Sequence, residues 1–203
     1  MSQIFLIMGG ARSGKSSFAE EIAEKLSKEE VIYLATAQAL DQEMEERITH
    51  HKKQRPQAWE TIEEPLALSE VIENVKDNKT VLMDCLTLFI SNMILKQAEL
   101  DKNENNLTQK FNIEQEIINE IETTIKKARK NDLNLIIVSN QVGQGVVPNN
   151  ELGRLFRDIA GRANQFVADT ADRVFMTIAG YPIDLNDISM KNKTNFLDNL
   201  EED

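Results

Sequence analysis

Apolar residues are arranged along this chain in two rhythms. Runs of strand length with little polar interruption occur at Ile4–Met8, Val31–Ala35, Thr80–Asp84, Leu133–Ser139 and Arg173–Ile178. Such runs suit strands covered on both faces, as in a parallel sheet. Between them the apolar positions recur at helical spacing. Phe18, Ile22, Ala23 and Leu26 form one stripe, and Ile117, Ile118, Ile121 and Ile125 mark the inner side of a helix over Asn112–Lys130. Helices are also predicted over Pro65–Val75, Leu86–Gln97 and Glu151–Ala168. A further one should start at an Asp41 cap and run to about Lys53, stopped by Pro56. Trp59–Glu63 reads as a short extended piece, and Gly180-Tyr181-Pro182 as the end of the last strand. The polar stretch 99–112, with Asn103, Asn105 and Asn106, predicts a loop or local disorder.

Strands separated by helices predict a three-layer α/β domain with a mostly parallel sheet. We expect one domain over 1–185 and a polar, acidic, poorly ordered tail over 186–203. Composition adds limits rather than identity. The chain has 203 residues, 41% hydrophobic and 28% charged, enough for one substantial core. A net charge of −11 disfavours nonspecific binding to nucleic acid or an anionic membrane. Cys85 is the single cysteine, so an intramolecular disulfide is impossible, which suits a reducing cytoplasm. The first strand begins so early that no signal peptide is expected, and no apolar run reaches the length of a membrane span.

The chemistry is concentrated after the first strand. Gly9-Gly10-Ala11-Arg12-Ser13-Gly14-Lys15-Ser16 fills every fixed position of G-x-x-x-x-G-K-[ST], between a strand and a helix. The glycines let backbone N–H groups turn inward on a phosphate chain, and the following helix adds its positive end. Lys15 supplies a charge to the outer phosphates, and the Ser16 hydroxyl is a ligand for phosphate-bound Mg²⁺. This makes a P-loop NTPase-like domain, with ATP or GTP as the expected class of ligand. Thr36-Ala37-Gln38 follows the second strand at its carboxyl end, the edge where open α/β sheets bind ligands. Asp84 ends another apolar strand, where an acid either holds Mg²⁺ or simply caps. The loop from Asn140 to Pro148 lies at the same edge, so these segments are expected to converge.

Both histidines fall in the predicted helix 41–53. Helical spacing places His51 with Met44 and Ile48, and His50 with Glu43, Glu46 and Arg47. Taken alone, that reads as one packed and one solvated histidine. The cations Arg47, Lys52, Lys53 and Arg55 around them form either a phosphate-receiving cluster or a solvated helix end.

Several blocks together resemble the bifunctional adenosylcobinamide kinase/adenosylcobinamide-phosphate guanylyltransferases of cobalamin synthesis. They are GGARSGKS from Gly9, YLATAQALDQEMEERITHHKKQRPQAWETIEE from Tyr33, VLMDCLTLFISN from Val81, and the segment from Val138 to Pro182. The RITHHKKQRP and FRDIAGRANQ blocks are more specific than the phosphate loop. The resemblance implies phosphorylation of adenosylcobinamide with ATP or GTP. It also implies transfer of GMP from GTP to adenosylcobinamide phosphate, through a GMP–histidine intermediate. His50, first of the pair, is then the nucleophile. Nucleotide contacts would fall on Gly9–Ser16, Thr36–Gln38, His51, Lys52, Lys53, Gln54, Glu63 and Asp84, with Ser16 and Asp84 serving Mg²⁺. A homo-oligomer, a trimer, is also implied. The rival readings are a P-loop small-molecule kinase without nucleotidyl transfer, and a nucleotide-dependent switch or assembly ATPase.

Overall fold

A computed structural model describes residues 2–27, 30–38, 42, 46, 52, 56–75, 79–100 and 107–189, with 100 and 107–111 described by backbone alone. In chain order the elements are β1 (Ile4–Gly9), α1 (Lys15–Ser27), β2 (Val31–Ala35), β3 (Glu60–Glu63), α2 (Leu68–Asn74), β4 (Thr80–Asp84), α3 (Leu86–Leu100), α4 (Leu107–Lys130), β5 (Asn134–Asn140), α5 (Glu151–Thr170), β6 (Arg173–Ile178), β7 (Tyr181–Asp184) and α6 (Leu185–Ile188). The strands form a seven-stranded sheet in the order β3-β2-β4-β5-β1-β6-β7. All pairs are parallel except β6 with β7.

The apolar runs are explained by what covers them. All of β1 is buried. Ile4, Leu6 and Met8 pack with Leu68, Ile72, Phe89, Ile117, Ile121 and Ile159, on the face carrying α2 to α5. Phe5 and Ile7 join Ala19 and Ala23 of α1 on the other face, with Tyr33, Leu82 and Ile136. The central strands therefore have no face on which a polar alternation could survive. The expected three-layer arrangement is observed.

Two local expectations change. α3 continues to Leu100 and α4 begins at Leu107, so within the expected loop 99–112 the described residues are helical. Residues 101–106 lie outside the described set. β7 was not predicted, because Pro182 reads as a turn. In an antiparallel edge strand its missing N–H removes no inner ladder bond, and Pro182 is paired in register with Thr177. The boundary expected at 185 falls in α6, which is tied back where the Asn186 side chain accepts from Val174 N at 2.7 Å. Residues 190–203, and with them most of the tail, are outside the described residues.

Candidate active site

The phosphate loop is shaped by the strand beside it. Thr177, near the end of β6, donates its hydroxyl to Met8 O at 3.0 Å and lies 2.8 Å from Ser13 Oγ. Gly180 N donates to Ser13 O at 2.8 Å from the β6–β7 turn. Gly14 has φ +92°, the left-handed region where a side chain is strained, and a Cβ there would also lie 3.1 Å from Gly180 Cα. α1 begins at Lys15, which is buried although charged, and its Nζ donates to Gly10 O at 3.2 Å across the loop. A buried ammonium beside a ring of backbone groups is an arrangement for binding anions. The half-buried Ser16 follows on the first turn of α1.

The other expected residues share this edge but not one point. Asp84 ends β4 in register with Ala35 and Val138, and Ala35 is in register with Glu63 at the end of β3. Between β1 and β3 stand β5, β4 and β2. At roughly 4.8 Å per strand, Glu63 is about 19 Å from the phosphate loop across the sheet, with Asp84 midway. The site is a line along the carboxyl edge. At its far end Glu63 Oε1 accepts from Lys52 Nζ. Gln42, Glu46 and Lys52 are helical, as expected for 41–53. His50, His51, Lys53, Gln54, Arg47 and Arg55 lie outside the described residues.

Between the two ends runs a belt of polar side chains, of which only Thr36 and Asp84 stand out in the sequence. Tyr33 donates its hydroxyl to Asp84 Oδ2 at 2.7 Å, orienting the carboxylate. Thr36 is fully buried, and its Oγ1 both accepts from Cys85 N and donates to Cys85 O, each at 2.8 Å. Asn92 Nδ2 donates to Thr36 O at 2.8 Å. Asn140 Nδ2 donates to Thr87 Oγ1 at 2.7 Å, and Ser139 Oγ donates to Asn164 Oδ1 at 2.6 Å. Ala37 and Gln38 follow Thr36 as partly exposed residues of the edge. Burial, then the neighbouring Asp84 charge, pushes the Cys85 thiol up to about 11. It is a structural thiol, not a nucleophile.

A cobinamide kinase / cobinamide phosphate guanyltransferase profile, the CobU family, matches residues 5–185. The chain belongs to this family. It is thereby a transferase of cobalamin synthesis, an enzyme that uses nucleotides to phosphorylate cobinamide and to guanylylate the phosphate. Among relatives of this cobinamide kinase/guanyltransferase family, the chain is 39% identical over 178 residues to the bifunctional adenosylcobalamin biosynthesis protein CobU of Escherichia coli (strain K12), covering 87% of this chain and 96% of that protein. It is 40% identical over 181 residues to the bifunctional adenosylcobalamin biosynthesis protein CobP of Pseudomonas aeruginosa, covering 89% and 95%. A solved ATPase from the type III secretion system of pathogenic bacteria shares the fold, with a TM-score of 0.53 at 13% identity, over 96% of this chain and 54% of that one.

The donor set also fits Mg²⁺. Among the described residues no group of three or more His, Cys, Asp or Glu could form a protein cage for a metal. One hydroxyl (Ser16) and one carboxylate (Asp84), completed by phosphate oxygens and water, is how proteins usually hold this ion.

Proposed function

We propose that the two family reactions run along this edge from a shared nucleotide geometry, with His50 as the covalent relay. In the first, the phosphate loop and Lys15 hold ATP or GTP while the aminopropanol hydroxyl of adenosylcobinamide attacks the γ-phosphorus. In the second, His50 attacks the α-phosphorus of GTP and expels pyrophosphate. The phosphate of adenosylcobinamide phosphate then takes the GMP from the histidine. A neutral imidazole is well populated near pH 7, which suits this nucleophile. Two displacements replace one, each with a good leaving group. Mg²⁺, when bound by Ser16 and Asp84, supplies charge neutralisation for the phosphates; the chain itself supplies orientation and the nucleophile.

The observation that supports this reading most is the line from the phosphate loop through Asp84 to the Glu63–Lys52 pair. Lys52 is two positions after His50 in the sequence. A kinase alone needs only the first end of that line. His51, Lys53 and Gln54 are read as further nucleotide contacts. We read the enzyme as a cytoplasmic homotrimer, and the exposed Ile178 and Tyr181 beside the edge strand are compatible with association. No described helix is long and apolar enough to cross a membrane.

The test is product analysis. With ATP alone, adenosylcobinamide should stop at the phosphate; with GTP it should proceed to adenosylcobinamide-GDP with one pyrophosphate released. Phosphate as the end product under both conditions would leave the simple kinase. Nucleotide hydrolysis with an unmodified corrinoid would leave the switch ATPase.

A further inference from the structure

We propose that Asn140 is a positioning residue of the kinase half-reaction, set at the terminal-phosphate end of the nucleotide; this rests on the bifunctional reading above. Asn140 is the last residue of β5, the strand between the phosphate-loop strand and the acid-bearing β4. Its register partner is Gly9, the first residue of the loop, while Asp84 pairs with Val138 two residues earlier. The next amide, Gln141 N, donates to Gly9 O at 3.0 Å, which ties the end of β5 to the start of the loop.

The side chain is held through its Nδ2, and the backbone through its carbonyl. Its Nδ2 donates to Thr87 Oγ1 at 2.7 Å and to Cys85 Sγ at 3.7 Å, and its backbone O accepts from Asn164 Nδ2 at 3.4 Å. Ser139, Asn164, Thr87 and Thr36 of the same belt are buried, whereas Asn140 is partly exposed at the rim. With Nδ2 committed to Thr87, Oδ1 is the acceptor left at the rim, and it has no partner among the described residues.

The orientation of the nucleotide decides which phosphate this oxygen serves. In a phosphate loop the backbone cradles the inner phosphates and the lysine reaches the outer ones. Lys15 Nζ donates to Gly10 O at 3.2 Å, one residue past Gly9, which is in register with Asn140. The β6 side of the loop is filled by the Ser13–Thr177 contact, so the γ-phosphate is taken to face the end of β5. There Oδ1 can accept a hydrogen bond from the attacking hydroxyl. In that step the oxygen–γ-phosphorus bond forms as the bond to the β–γ bridging oxygen breaks. The nucleoside diphosphate leaves and the hydroxyl proton is lost to water. Attack at the α-phosphorus by the histidine does not use this position.

The test separates the two halves in full-length protein, with the parent first shown to perform both. Asn140→Ala should lower kcat for phosphorylation of cobinamide with ATP about 100-fold, the scale of a lost alignment, with KM for ATP little changed. Guanylyl transfer to preformed cobinamide phosphate should persist. Asn140→Asp keeps the size and an acceptor at the rim and should retain the phosphorylation; Asn140→Leu, of similar size with no acceptor, should show the alanine split if the alanine variant does not fold. An equal fall in both reactions, or an unchanged kinase, in the alanine or leucine variant overturns the proposal.

Discussion

At Gly9 the phosphate loop has no room for a methyl group. A Cβ there would meet Ser13 Oγ at 2.3 Å, Thr177 Oγ1 at 2.4 Å and Thr177 O at 2.7 Å, whereas at Gly10 nothing lies within 4 Å. Gly9→Ala should therefore cost about 2 kcal/mol, a fall of about 6 °C in melting temperature for a chain of this size, and should weaken triphosphate binding. Gly10→Ala should melt like the parent. Calorimetry on the pair, with equal melting temperatures as the contrary result, checks this packing of Thr177 against the loop. Cys85 gives a pH signature. Its folded value of about 11 lies above the ordinary 9.0, so the folded state keeps a proton that the unfolded state loses. That contribution is intact below pH 9 and declines as pH rises from about 9 to 11. Cys85→Ser should flatten the alkaline fall in stability measured by urea titration; an identical alkaline limb would remove the thiol as its source.

The elements differ in how openly the sequence declares them. β1, β2, β4 and β5 are legible because they are buried almost throughout and leave apolar runs, and β6 because its apolar run survives partial exposure. β7 is not, since a proline in a four-residue edge strand has the signature of a turn. The start of α4 at Leu107 is hidden in the same way, because asparagines just before it mask a helix held mainly by its inner isoleucines. The phosphate loop is legible as a contiguous motif. Its buttress is not: Ser13 and Thr177 are 164 positions apart, and the Thr36–Cys85 bonds span 49. Only the sheet order brings them together. Asp172 shows the same long reach. It accepts from Ile4 N at 2.6 Å and from Arg129 Nη2 at 3.0 Å, joining the start of β1 to the end of α4. Burial opposes its ionisation, but the Arg129 and Ile4 hydrogen bonds outweigh it and hold the carboxyl below its ordinary 3.8. The stabilisation is present above that value and lost as pH falls through the lowered folded one. Asp172→Asn should cost about 1 kcal/mol at pH 7, with the charge term reduced by partial exposure. The gap from the parent should close as the solution is acidified below about pH 3.8. A gap independent of pH would mean that the charge contributes nothing.

Across the molecule, the phosphate loop, Thr36, Asp84 and Glu63 follow or end parallel strands at one edge of the sheet, and the strand order sets what each can reach. β5 and β4 separate the phosphate loop from β2 and β3, so a nucleotide contacting both ends must lie along the sheet rather than over one loop. Asp84 is central in that line. Asp84→Asn keeps the Tyr33 hydrogen bond available and should leave the fold intact, while raising the Mg²⁺ concentration for half-maximal activity about tenfold or more, the scale of a lost metal partner. An unchanged Mg²⁺ titration would reduce Asp84 to a cap. Lys15→Ala should depress both reactions if, as proposed, both place their outer phosphates in one loop; GTP binding as tight as in the parent would contradict a shared loop. The relay itself is tested by incubating the enzyme with GTP labelled at the α-phosphorus, without corrinoid, and isolating the protein. The account predicts acid-labile, alkali-stable label, as in a phosphoramidate, chased onto adenosylcobinamide phosphate when that is added, absent in His50→Ala and retained in His51→Ala. A parent protein that makes adenosylcobinamide-GDP yet never carries label, or a His50→Ala protein that still does, would contradict it.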